Sequence, residues 1–141
     1  MIIDTSAIIC LIRREPQASH VLHCLSLGLP HRMSTTTASE LFAVVTRTVA
    51  PGGWNTVARL IDAFNVEMVE YDSTQVAIFQ HAYTTYGRGG HNSSSAHLNL
   101  GDCFSYALAK ALDEPLLFIG NDFTHTDIVS AIDYYHDKNA M

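Results

Sequence analysis

Four acidic residues stand where the sequence changes character: Asp4, Glu40, Asp102 and Asp122. Asp4 ends the apolar run Met1-Ile2-Ile3, and Asp122 follows the apolar run Pro115-Leu116-Leu117-Phe118-Ile119 after a Gly120-Asn121 turn. Asp102 opens a segment that reads as a helix apolar nearly all round, and Glu40 falls in the first turn expected of another helix. If the four share a cleft, each like-charged pair at ~5 Å and an effective dielectric of ~20 costs about 3 kcal/mol. A proton or a divalent cation between the groups removes that cost. With His and Cys absent from these positions, oxygen-only ligands point to Mg²⁺, with Mn²⁺ able to substitute. Such ions activate water and stabilise a leaving oxygen in phosphodiester cleavage.

Each residue also has a plainer use. Thr37-Ala38-Ser39-Glu40 fits a capping box, an arrangement worth ~1 kcal/mol. Asp102 suits a helix N-terminus through the dipole. Asp4 and Asp122 suit strand ends and turns. The joint placement at strand ends and first helical turns is what argues for a shared site.

The elements that position these acids follow from the pattern. Asp4 is followed by Thr5 or Ser6 as cap of a helix carrying Ile8, Ile9, Leu11 and Ile12. A second helix has Pro16 in its first turn, Val21, Leu22 and Leu25 along it, and Gly28 at its end. A strand over residues 31–35 leads to a helix opened by Thr37 and broken by Pro51-Gly52-Gly53. Trp54, Val57, Ala58, Ile61 and Phe64 trace the next helix, residues 66–71 the next strand, and Ser73 caps a helix striped by Val76, Phe79, Tyr83 and Tyr86. The stretch from Gly87 to Ser95 is loop-like. Residues 115–119 form an apolar strand, and residues 127–135 supply a last strand and a short helix. Alternating strands and helices, with strands apolar on both faces, predict one three-layer α/β/α domain over 1–141 around a mainly parallel sheet. Such sheets bind ligands beyond the carboxyl ends of their strands, where the acids fall.

Composition narrows the classes. With 141 residues, 48% of them apolar, the chain is long enough for a core and too apolar for disorder. No apolar run approaches a membrane span, and the start lacks a signal-peptide pattern, so a cytoplasmic, membrane-independent protein is expected. The net charge of −6 repels phosphate overall, so any nucleic-acid contact is local or cation-assisted. Cys10, Cys24 and Cys103 lie among apolar neighbours and read as buried thiols.

The motifs resemble a known family. Ile2-Ile3-Asp4-Thr5-Ser6-Ala7 and Thr37-Ala38-Ser39-Glu40-Leu41 resemble the opening of PIN-domain proteins. The run from Leu98-Asn99-Leu100-Gly101-Asp102 through Cys103-Phe104-Ser105-Tyr106-Ala107-Leu108-Ala109 is the most specific stretch. With Leu117-Phe118-Ile119-Gly120-Asn121-Asp122-Phe123 and Thr126-Asp127-Ile128, it is similar to the VapC-type toxins of bacterial toxin–antitoxin pairs. The resemblance implies a Mg²⁺-dependent endoribonuclease, neutralised by a cognate VapB-type antitoxin. It places metal ligation on Asp4 and Asp102, and adds Glu40 and Asp122 to the catalytic set. Asn121 and Asp127 remain alternatives for the fourth position, because relatives often carry acids at both 121 and 122.

Other features weigh less. Arg88 could hold an RNA phosphate or be a solvated loop cation. Gly87-Arg88-Gly89-Gly90 lacks the strand-to-helix context of a nucleotide fingerprint. His20 and His23 have no third ligand at zinc spacing, and Ser93-Ser94-Ser95 near His97 lacks nucleophile-elbow glycines. Tyr83 and Tyr86 read as core or interface rather than a base-stacking platform. The apolar first helix suggests a covered face, hence a homodimer and an antitoxin whose basic side chain reaches the acidic cleft. Two rivals remain: a catalytically silent PIN module, and a haloacid-dehalogenase-like phosphatase. The latter wants a second acid where this chain has Ser6.

Overall fold

A computed structural model describes residues 1–49, 51–89 and 95–139. Within the expected 87–95 loop, residues 90–94, including Ser93 and Ser94, lie outside the described residues. The elements in order are β1 (Ile2–Ile3), α1 (Thr5–Arg13), α2 (Ala18–Leu25), β2 (His31–Ser34), α3 (Thr35–Thr48), α4 (Gly53–Ala63) and β3 (Val66–Val69). Then follow α5 (Ser73–Tyr86), α6 (Leu100–Leu112), β4 (Leu116–Leu117) and α7 (Ala131–Asn139).

The strands form one sheet in the order β3-β2-β1-β4, parallel at every pairing. Period-two alternation splits their side chains between two cores. Ile3, Met33 and Leu117 join the cluster built with α1, α2, α3, α4 and α7, while Ile2 and Leu116 join the cluster on the α5–α6 side. The result is the three-layer α/β/α arrangement that the apolar strands predicted. The cysteines are all buried and unpaired.

Several local expectations shift. β4 covers only Leu116–Leu117, because its neighbour β1 ends at Ile3 and turns into α1 at Asp4. Beyond that point the Ile119 N–H finds a side chain instead of a strand, donating to Ser6 Oγ at 3.0 Å. The last strand reduces to a single bridge between Leu116 and Ser130 ahead of α7. Pro16 sits in the turn before α2 rather than within it, and Gly28 lies beyond the helix end at Ser26. On α5 the buried positions are Gln75 and Ala82, whereas Val76 and Tyr83 are exposed, so the expected stripe is rotated. Phe79 and Tyr86 do pack against the second core.

Caps move toward the N-terminus. Asp4 itself caps α1, Ser34 caps α3, and Asp72 caps α5. Each extended cap residue accepts a backbone N–H that the helix leaves unpaired. Glu40 therefore lies past the first turn of α3 and is not the partner of a Thr37 cap. The apolar surplus of α1 is absorbed within the chain: Ile8 and Ile9 are buried, and Leu11 and Ile12 pack on the first core. Large exposed apolar side chains lie elsewhere, at Leu22, Phe42, Met68 and Leu100 among others.

The sheet supports the site through residues such as Leu117, which is fully buried and whose backbone O accepts the Asp4 N–H. Leu117→Ala is expected to lower unfolding free energy by about 2–5 kcal/mol, read from denaturant melts. A change near zero would show that the central layer is not packed as described.

Candidate active site

The carboxyl edge of the sheet gathers the acids. Asp4 is only 4% exposed and accepts three hydrogen bonds. Its Oδ2 takes the Ser6 N–H at 3.0 Å and the Ser6 hydroxyl at 2.6 Å, and its Oδ1 takes the Ser105 hydroxyl at 2.5 Å. The first bond is the helix cap; the others fix the carboxylate plane. Ser105 comes from α6, which packs on β1 and brings Asp102 with it.

Asp102 sits at the third position of α6, 8% exposed, where it closes a capping box with Asn99. The Asn99 N–H donates to Asp102 Oδ2 at 2.9 Å, and the Asp102 N–H donates to Asn99 Oδ1 at 2.8 Å. Thus the helix-start role expected for Asp102 is real. It does not exhaust the residue, because burial pushes the carboxyl up to about 7, and Asp4, Asp122 and Glu40 each add repulsion. Only the Asn99 bond works in the opposite direction.

Glu40 reaches from α3 to α1. The Thr5 hydroxyl donates to Glu40 Oε1 at 2.6 Å, while Oε2 lies against Gly101. A Cβ built on Gly101 would stand 1.4 Å from that oxygen, so only glycine leaves room for the carboxylate. Burial raises the Glu40 pKa, the Thr5 bond lowers it, and the Asp4 charge raises it again.

Asp122 is exposed on the turn after β4, near enough to raise the Asp102 pKa. Asn121 is exposed beside it. Asp127 is committed elsewhere: it accepts from the Tyr106 hydroxyl at 2.7 Å and pairs with Lys110 Nζ at 3.0 Å. Those bonds outweigh burial and hold its carboxyl below the usual range. Arg88 is exposed, and its backbone N–H donates to Leu98 O at 2.8 Å, which ties it next to the Asn99 cap of α6.

Asp4, Glu40, Asp102 and Asp122 therefore form one electrostatic group. No Lys or Arg among the described residues forms an ion pair with any of them. Nor do three His, Cys, Asp or Glu side chains stand in a finished metal cage among the described residues. Asp4, Glu40 and Asp102 each accept from hydroxyl or amide donors of the chain. An all-oxygen donor set with uncompensated negative charge fits a hard divalent cation. The supporting residues Ser6, Thr5, Ser105, Asn99 and Gly101 were not singled out as site residues from sequence. The signal for Ser105 was available: a hydroxyl one helical turn past Asp102, in an otherwise apolar run.

Two consequences can be measured. Gly101→Ala should displace the Glu40 carboxylate and break its Thr5 bond, while alanine favours the helix by about 1 kcal/mol. Loss of function with little or no loss of melting temperature is expected; an active Gly101→Ala protein would show that the position of Glu40 does not matter. Asp102 gives a pH signature in chelator. Its folded pKa of about 7 lies above the ordinary aspartate value of 3.8, so the fold binds the proton more tightly than the unfolded chain. That contribution is full below about pH 4 and is lost as pH rises to about 7. Asn at 102 retains an acceptor for the Asn99 N–H and removes the charge. Asp102→Asn should match the parent at pH 4 and melt several degrees higher at pH 8. A variant that melts lower at pH 8 would mean the residue serves as a cap alone.

The sequence matches the PIN domain family over residues 1–129. Ribonuclease VapC42 of Mycobacterium tuberculosis is 43% identical over 129 residues, spanning 91% of this chain and 96% of that protein. Ribonuclease VapC30 of the same organism is 37% identical over 130 residues, spanning 92% and 97%. Among solved structures, the crystal structure of Mycobacterium tuberculosis VapC20, a sarcin-ricin loop cleaving toxin, superposes with a TM-score of 0.70 at 11% identity, covering 91% of this chain and 95% of that one. A toxin–antitoxin complex from Klebsiella pneumoniae gives 0.64 at 16% identity, covering 92% and 96%. Fold, motif placement and these likenesses agree, and the chain belongs to the PIN-domain family, within its VapC ribonuclease branch.

Proposed function

We propose that this protein is a Mg²⁺-dependent endoribonuclease, the toxic component of a VapBC-type pair, with 1–141 acting as one domain. The observation that carries the reading is the buried Asp102 carboxyl, surrounded by Asp4, Glu40 and Asp122 with no basic partner among the described residues. Asp4 and Asp102 would hold the cation, and Mn²⁺ would substitute for Mg²⁺. A bound divalent cation would neutralise the cluster together with an incoming phosphate and lower the barrier to in-line attack by water. Glu40 is held at one oxygen by Thr5, which leaves Oε2 to orient a water and take its proton. Asp122, on the open side of the group, completes the catalytic set. Arg88, held beside the start of α6, would contact a substrate phosphate and offset the chain's net charge of −6 locally.

The neutralising partner is a VapB-type antitoxin presenting a basic side chain to the acids. The exposed apolar side chains at Phe42, Met68 and Leu100 are available to such a partner or to a second copy in a homodimer. No helix among the described residues is long and apolar enough to cross a membrane, in keeping with action on RNA in the cytoplasm. The phosphatase alternative loses ground at Ser6, whose hydroxyl donates to Asp4 where that chemistry wants an acid. The silent-module alternative has no missing acid to support it.

The test is cleavage of total cellular RNA, with the new ends mapped. Cleavage is expected with Mg²⁺ or Mn²⁺, none with chelator, and losses of at least about a hundredfold in Asp4→Ala and Asp102→Asn, the scale of removing a group that stabilises transition-state charge. Cleavage that persists in chelator, or in Asp4→Ala, would overturn the assignment.

A further inference from the structure

The hydrogen bonds around Asp4 have a further consequence. A carboxylate offers about four lone-pair sites on its two oxygens. In this chain three are taken by protein donors: Ser6 N–H and Ser6 Oγ–H on Oδ2, and Ser105 Oγ–H on Oδ1. Oδ2 is therefore filled, and Oδ1 retains one site. The two hydroxyls cannot easily turn away. Ser6 Oγ also accepts the Ile119 N–H at 3.0 Å, which fixes its proton toward Asp4. Ser105 Oγ lies 3.3 Å from Thr37 Oγ1, and both residues are wholly buried. An ionised Asp4 only accepts, so the chain of donors runs from Thr37 to Ser105 to Asp4 Oδ1. Thr37 stands one turn before Glu40 on α3, and Ser105 one turn after Asp102 on α6. The same hydroxyl pair thus joins the two helices that carry the other buried acids.

Resting on the reading that Asp4 is a cation ligand, we propose that Ser6, by filling Oδ2 with two bonds, restricts Asp4 to a single ligand bond through Oδ1 and thereby makes the site discriminate small octahedral cations from Ca²⁺. Mg²⁺ and Mn²⁺ bind carboxylates through one oxygen at short distance in near-ideal octahedra. Ca²⁺ takes six to eight oxygens and readily uses both oxygens of one carboxylate. A site whose first carboxylate has one open lone pair cannot supply that second contact. Ser6 is in these terms a positioning residue: its hydroxyl touches Asp4, not the cation. Removing that hydroxyl leaves only the backbone N–H on Oδ2, so both oxygens of Asp4 can then face one cation.

The experiment measures melting temperature of the purified full chain against Mg²⁺, Mn²⁺ and Ca²⁺ concentration, starting from chelator-treated protein. Binding to the native state raises the melting temperature in proportion to ln(1 + [L]/Kd), so each series yields an affinity without reference to activity. In the parent, Mg²⁺ and Mn²⁺ should bind more tightly than Ca²⁺. In Ser6→Ala the affinity ratio of Ca²⁺ to Mg²⁺ should rise about fivefold or more, on the order expected from a coordination-number preference. Ser6→Cys, whose thiol is a weaker donor, should move the ratio the same way, so the test survives if Ser6→Ala does not fold. Ser105→Ala frees only a further lone pair of Oδ1 and should keep the parent's ratio. A parent that responds to Mg²⁺ and a folded Ser6 variant with an unchanged ratio, or a Ser105→Ala ratio that rises as far as that of Ser6→Ala, would overturn this inference alone. A parent whose melting temperature responds to none of the three ions would overturn the metal reading and this inference with it.

Discussion

Burying like charges together is unfavourable, and the fold does so at the point where its first strand becomes its first helix. Asp4 is placed there by backbone constraints: it follows β1, donates its N–H to Leu117 O at 3.0 Å, and caps α1 through Oδ2. That position faces the start of α6, where Asp102 closes the capping box of Asn99, and the side of α3, where Glu40 emerges. Each acid thus has a structural use that secures its place. Yet the three together, with Asp122, leave a negative group that no basic side chain among the described residues offsets. The hydroxyls of Thr5, Ser6 and Ser105 and the space left by Gly101 follow from the same requirement, since they hold carboxylates that would otherwise separate.

The arrangement also explains how an acidic chain can act on a polyanion. Repulsion between the protein and RNA is strongest at the acids and would be removed by the same cation that the proposed site would hold. Arg88 adds a local positive charge beside α6 without neutralising the cluster itself. Asp127 illustrates the contrast. It has the same side chain and comes from the same stretch of chain, but Lys110 and Tyr106 satisfy it, so it carries no unmet charge.

Much of this was legible before the structure. Ile2, Ile3, Leu116 and Leu117 announce a central layer by being apolar on both faces, and the positions of Asp4 and Asp102 follow directly from the ends of those runs. What was not legible depended on backbone direction or long-range contact. Thr37 and Glu40 have the spacing of a capping box, yet α3 begins at Thr35 and Glu40 bonds Thr5, thirty-five residues away in sequence. Thr5 and Ser6 looked like equally good caps for α1, although Asp4, one residue earlier, has the extended backbone that a cap requires. The stripe assigned to α5 holds at Phe79 and Tyr86 and fails at Val76 and Tyr83. The buried positions beside it go to small Ala82 and to Gln75, whose amide donates to Glu70 O, a bond that apolar periodicity does not announce.

The central claim is that a divalent cation belongs among Asp4, Glu40, Asp102 and Asp122. Anomalous diffraction from crystals of the protein grown with Mn²⁺ tests it most directly, because the scattering locates the metal independently of any assay. A peak beside Asp4 and Asp102, within the group that Glu40 and Asp122 complete, is the expected result. A peak at another place on the molecule, with none beside Asp4 and Asp102, would contradict it.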